Sequence, residues 1–174
     1  GPPSVKGVVA DEESLYRKGL THINAQNYKE ALVVFDQFLK KFPKSSLADN
    51  AQYWKGEALY ALKQFPESVL QFQNVVKKYP KSEKAAASVL KQGYAFFEMK
   101  EYQDAKAFLQ KVISTYPGSE EAIKARQKIE DIEQMPMKSV AVPQSVKPVP
   151  KSPPETSLEE PIEDEEPIEE PSKP

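Results

Sequence analysis

The sequence predicts an all-α fold, a right-handed superhelical solenoid of three helix pairs closed by a C-terminal capping helix. Three observations carry this prediction. First, one set of residue types recurs every 37 residues: Gly19, Gly56 and Gly93; Tyr28, Phe65 and Tyr102; Phe35, Phe72 and Leu109. Second, apolar residues inside each unit fall at three- and four-residue steps, as in Leu32, Phe35, Phe38, Leu39 and Val69, Phe72, Val75, Val76, which is the helical period. Third, each unit ends on an aromatic-Pro step, Phe42-Pro43, Tyr79-Pro80 or Tyr116-Pro117, followed two residues later by Ser45, Ser82 or Ser119.

The units run over about 12–48, 49–85 and 86–119. Within each, a first helix ends near Asn24, Ala61 or Glu98 in a polar turn, Gln26-Asn27, Lys63-Gln64 or Lys100-Glu101. A second helix follows. In the first two units it closes on Lys40-Lys41 or Lys77-Lys78, whose charge offsets the negative end of the helix dipole. The aromatic-Pro step stops it, because proline has no donor and disfavours the α region in the residue before it. Ser45, Ser82 and Ser119 are candidate N-caps of the next helix. Gly19, Gly56 and Gly93, with the small residues Ala31, Ser68 and Ala105, allow neighbouring helices to approach closely. Residues 120–134 carry Ala122, Ala125, Ile129 and Ile132 on one side and charges on the other, the pattern of a capping helix. A two-helix unit cannot bury its own apolar face, so the units must stack on a shared core.

Aligned on these positions, all three units fit the tetratricopeptide pattern of Gly, aromatic, small, Phe or Leu, and Pro. That repeat usually has about 34 residues. The three extra residues are expected after the Pro, lengthening each following first helix by about one turn.

The termini read differently. Ten of the sixteen prolines lie from Pro136 onward, and nine acids against Lys173 alone follow Ser152. Such a segment has too little apolar surface to offset the entropy of ordering. Residues 135–174 are expected to be a disordered, acidic Pro/Glu-rich tail, and residues 1–10 a disordered N-terminal segment. The folded domain is then 11–134, with a net positive body before an acidic tail. Nucleic acid is not expected as a partner, because lysines alternate with acids and no basic stripe carries interleaved aromatics. No apolar run approaches the roughly 20 residues of a membrane span.

Catalysis finds no foothold. There is no cysteine, His22 is the only histidine, and no Gly-rich phosphate loop or nucleophile-base pair is present. No catalytic residue, metal site or cofactor is expected. Binding is expected instead on the inner face, at the fifth, ninth and twelfth positions of each unit. These are Tyr16, Leu20 and Ile23; Tyr53, Glu57 and Tyr60; Leu90, Tyr94 and Phe97. Tyrosine combines apolar area with a hydroxyl, which suits a peptide ligand. None of the nine is Lys, which disfavours capture of a C-terminal carboxylate and favours a helix or an extended Pro-containing segment. Trp54 is expected to be buried beside this groove.

The block Ala51-Gln52-Tyr53-Trp54-Lys55-Gly56-Glu57-Ala58, the run from Phe72 to Pro80-Lys81-Ser82, and that from Leu109 through Tyr116-Pro117-Gly118-Ser119 resemble the C-terminal tetratricopeptide domain of the YbgF/CpoB family. These are the Tol-Pal-associated cell-division coordinators of Gram-negative bacteria. The resemblance covers about residues 11–134. It implies a periplasmic, non-catalytic adaptor whose partners are envelope proteins, TolA-like or engaged in peptidoglycan synthesis. Family members also carry a trimerising coiled coil, so a homo-oligomer formed through a region before Gly1 is a further expectation. A second resemblance, to the outer-membrane lipoprotein BamD, implies an alternative. The chain would then be a structural or assembly subunit of a large envelope complex, a scaffold or motor/secretion component, with its tail as an extended strap.

Overall fold

The computed structural model describes residues 5–136. Seven helices follow in order: α1 (Val5–Asn24), α2 (Tyr28–Lys41), α3 (Ala48–Ala61), α4 (Phe65–Lys78), α5 (Ala85–Glu98), α6 (Tyr102–Thr115) and α7 (Glu120–Glu133). Each packs on its chain neighbours, so α1/α2, α3/α4 and α5/α6 are the three predicted hairpins and α7 the cap.

The predicted close approaches lie inside the hairpins. A Cβ on Gly19 would sit 2.6 Å from the Phe35 ring, one on Gly56 2.6 Å from the Phe72 ring, and one on Gly93 2.8 Å from Leu109 Cδ2. Ala31, Ser68 and Ala105 are fully buried. The core is built in segments, as a stack of repeats requires. Ala31, Phe35, Phe38, Phe42 and Ala51 form its first part, Tyr53, Phe72 and Val75 its second. Val89, Leu90, Leu109, Val112, Ala125 and Ile132 join the third hairpin to α7.

The hairpin turns repeat one backbone solution. Gln26, Lys63 and Lys100 have φ of 59°, 60° and 63°. The next residue's N–H in each case donates five residues back, Asn27 to His22, Gln64 to Leu59 and Glu101 to Phe96, at 2.8–2.9 Å. This satisfies helix-end carbonyls in a Schellman arrangement.

Three expectations change. The helix begins at Val5 rather than after residue 10, because a nucleated helix gains one bond per added residue and no proline interrupts it after Pro3. The surplus residues do not lengthen the first helices: α3, α4 and α5 each have 14 residues. They sit in the connectors between hairpins, where two successive turns run Ser45 N–H to Phe42 O and Ala48 N–H to Ser45 O, and likewise Ser82 to Tyr79 and Ala85 to Ser82. Finally, Ser45 and Ser82 do not cap helices. Leu47 and Lys84 occupy the N-cap positions of α3 and α5, while Ser45 Oγ donates to Glu12 Oε2 (2.9 Å) and Ser82 Oγ to Asp49 Oδ2. Each connector is thereby tied to the first helix of the preceding hairpin. Ser119 does cap, accepting from Ala122 N–H at 3.0 Å. The residue that matches Glu12 and Asp49 there is Ala86, which offers Ser119 no carboxylate. The expected tail begins at the edge of the described residues and otherwise lies outside them.

Candidate functional site

First helices make the inner face of the stack. α3 touches α5 and α5 touches α7 directly, as elements on the closed side of a curved array must. The nine predicted groove residues all lie on α1, α3 and α5, but they divide into two groups.

Tyr53 and Leu90 are core. They are 8% and 5% exposed, where the sequence places them in the groove. Tyr53 packs at 5.6 Å on the Phe72 ring and 5.7 Å on Trp54, and burial, with Glu57 and Glu121 adding to it, pushes its hydroxyl well above the usual tyrosine range. Tyr16, Leu20 and Ile23 are partly buried against the first core segment. Tyr16 meets Phe35 and Phe38 edge-on at 5.9 Å and accepts a hydrogen bond of 3.1 Å from Trp54 Nε1. Trp54 is half-buried rather than sealed, and that bond satisfies its indole N–H.

Glu57, Tyr60, Tyr94 and Phe97 remain partly open. Here the structure adds residues that the sequence reading missed. Lys91 Nζ stands 4.7 Å from the centre of the Tyr60 ring and 3.2 Å from Glu57 Oε1. Lys128 Nζ lies 3.6 Å from the centre of Phe97 and 5.7 Å from that of Tyr94. Aromatic faces attract cations at such distances. Each lysine comes from the first helix of the following unit, or from the cap. The missed signal was in the recurrence: Trp54, Lys91 and Lys128 are 37 residues apart, and the first two stand one position after the first of the three chosen in their units. The nine chosen positions carry no lysine, yet these two lysines stand over the rings of three of them.

Charge on this face is mixed. Burial, then Glu98 and Glu57, push Tyr60 up to about 12, and burial and Asp131 raise Tyr94. Both stay protonated donors at neutral pH. Glu57 Oε1 is buried without an aligned hydrogen bond, so the Lys91 ammonium is its one compensating charge. Among the described residues no group of three or more His, Asp or Glu could hold a metal ion, and no helix is long and apolar enough to cross a membrane.

Comparison with known proteins accords with this geometry. Residues 9–135 match the family model YfiO, outer membrane lipoprotein. The cell division coordinator CpoB of Pseudomonas putida is 39% identical over 54 residues, 31% of this chain and 20% of that one. The chain thus spans about a fifth of the length of the curated relatives it matches. MamA from Desulfovibrio magneticus, 26% identical, superposes with a TM-score of 0.57 over 70% of this chain and 64% of that one. The first TPR domain of human RPAP3, 19% identical, shares the fold at a TM-score of 0.58 over 71% and 90%. With its inner face built from first helices and its likeness to CpoB and to tetratricopeptide structures, the chain carries a TPR-type protein–protein interaction domain and belongs to the YfiO outer membrane lipoprotein family.

Proposed function

We propose that the chain is a non-catalytic adaptor of the bacterial cell envelope, acting in the periplasm, that holds a helix or an extended Pro-containing segment of a partner on its inner face. One observation carries this reading: Tyr60, Tyr94 and Phe97 stand partly open on a single side, with Lys91 and Lys128 set over their rings. Rings with cations over one face offer their remaining apolar area to a ligand's side chains, and the ammonium groups offer charged hydrogen bonds to its carbonyl or carboxylate groups. Tyr16, Leu20 and Ile23 extend the surface along α1, while Tyr53 and Leu90 act as its floor. The CpoB likeness supports a place in cell-division coordination within the Tol-Pal system, with a TolA-like protein or a peptidoglycan-synthesis protein as partner.

The test is titration calorimetry of the full chain with the periplasmic part of a TolA-like partner. Tyr94→Ala with Phe97→Ala is expected to weaken binding at least about tenfold, the scale of an interface hot spot, while helical circular dichroism is kept. Unchanged affinity rejects the assignment of this face.

The family match favours a second reading, an assembly subunit of an outer-membrane complex. The two part company at the tail. Removing residues 136–174 is expected to leave inner-face binding intact in the adaptor reading and to break co-purification of the complex in the assembly reading.

A further inference from the structure

The outer side of the stack carries a charge pattern that the inner-face reading does not use. Lys40, Lys41 and Lys44 recur one unit later as Lys77, Lys78 and Lys81, and all six are exposed. Among the described residues the ion pairs are Lys55–Asp36, Lys91–Glu57 and Lys106–Glu133, so none of the six is paired with an acid of those residues. Three acids on α2 or tied to the connectors are engaged elsewhere. Asp36 lies 2.6 Å from Lys55 Nζ, and Glu12 and Asp49 accept from Ser45 and Ser82.

A structural role does not account for the pattern. Lysines in the last turn of α2 and α4 complement the helix dipole, but Lys44 and Lys81 lie beyond the helix ends. α6 ends on the same aromatic-Pro step with no base in its last turn, so the step does not need them.

The two clusters flank a cleft. It has a volume of about 400 Å³, with walls from α2 and α4 and a floor from α3. Lys40, Asn74, Lys78 and Tyr79 line it beside the Lys55–Asp36 pair. Burial and Asp49 raise the Tyr79 hydroxyl above its ordinary range, so it remains a donor. Two ammonium groups unpaired among the described residues, the Gln52 and Asn74 amides and a phenol thus converge with one acid, which is already paired with Lys55.

We infer that this edge docks an extended acidic peptide segment of a partner protein, one carboxylate entering the cleft between Lys40 and Lys78 and others meeting Lys44 and Lys81 along the connectors. An extended chain advances about 3.3 Å per residue, so acids a few residues apart can reach successive clusters. A flat anionic membrane fits less well, because headgroups in a plane cannot enter a cleft between two helices and the exposed Glu83 interrupts the lysines.

The experiment is fluorescence anisotropy on the full chain with a labelled synthetic peptide of about twelve residues that alternates Glu and Ser. Binding is expected to weaken as salt rises, since exposed charges are screened over about 10 Å at 0.1 M. Lys40→Glu with Lys78→Glu is expected to reduce affinity about tenfold. Those two sites lie in last turns, so Lys44→Glu with Lys81→Glu, in the connectors, provides a second variant without effect on the helices. Tyr94→Ala with Phe97→Ala on the inner face is expected to leave peptide affinity unchanged, which separates this inference from the adaptor reading. The inference is overturned if the peptide does not bind, if the lysine variants bind it normally, or if the inner-face variant alone loses it. It is equally overturned if phosphatidylglycerol vesicles bind in place of the peptide.

Discussion

Glycine in the middle of a helix costs about 1 kcal/mol relative to alanine, so Gly56 in α3 must return more than that through packing. It does so by admitting the Phe72 ring, which is fully buried and also bears on Tyr53. An added methyl would meet ring carbons at 2.6 Å, and a caged ring has nowhere to turn. Overpacking of this kind costs about 1–3 kcal/mol. Gly56→Ala is therefore expected to be net destabilising, read as a lower urea midpoint at unchanged m-value. Gly93→Ala should also destabilise, but less, because it meets Leu109 Cδ2 at 2.8 Å and Cγ at 2.9 Å, and a branched aliphatic chain yields more readily than a rigid ring. Equal losses at the two sites would contradict the packing account. The role of these glycines was legible because each recurs sixteen residues before its large partner. That of the serines was not. Ser45, Ser82 and Ser119 follow the same aromatic-Pro step, yet only Ser119 caps a helix, and the difference is set by Glu12, Asp49 and Ala86 in another helix.

At the scale of elements, helix ends were the best-read features. Asn24, Ala61 and Glu98 close α1, α3 and α5 as the polar turns predict. The left-handed residue inside each turn was hidden, since Gln26, Lys63 and Lys100 stand where glycine is usual. A non-glycine residue there bears a steric cost of roughly 1–2 kcal/mol, part of which glycine returns as entropy lost on folding. Lys63→Gly is accordingly expected to stabilise the chain by about 0.5–1 kcal/mol, visible as a higher melting temperature. No gain at all would show that the turn is held without strain. The inner face was legible as a stripe but not in depth. Helical spacing alone cannot tell Tyr53, which turns into the core, from Tyr60, which stays at the rim, because that choice depends on the Phe72 ring arriving from α4. Lys91 and Lys128 were missed for the same reason: they act on rings belonging to the preceding unit.

Across the whole molecule the aromatic network makes stability depend on alkaline pH. Burial raises Tyr16, Tyr53, Tyr60, Tyr79, Tyr94 and Tyr116 above the ordinary value of 10.0, and Tyr60 reaches about 12 with Glu98 and Glu57 beside it. Below pH 10 these phenols are neutral in both the folded and the unfolded chain, so their contribution to stability is fully present. Between 10 and 12 the unfolded chain releases protons that the folded one retains, and linkage then requires stability to fall as pH rises. The expected result is a urea midpoint whose decline from phenol ionisation begins near pH 10, while the absorbance of tyrosinate near 295 nm lags behind that of the denatured chain. Lysines also lose charge in this range, so the informative comparison is with Tyr60→Phe, which keeps the ring against Phe65 at 5.1 Å and removes the ionisable hydroxyl. That variant should lose stability less steeply than the parent between pH 10 and 12. Identical slopes, or folded tyrosines that all titrate near 10, would mean that solvent reaches these hydroxyls and that the rings lie open along the whole inner face.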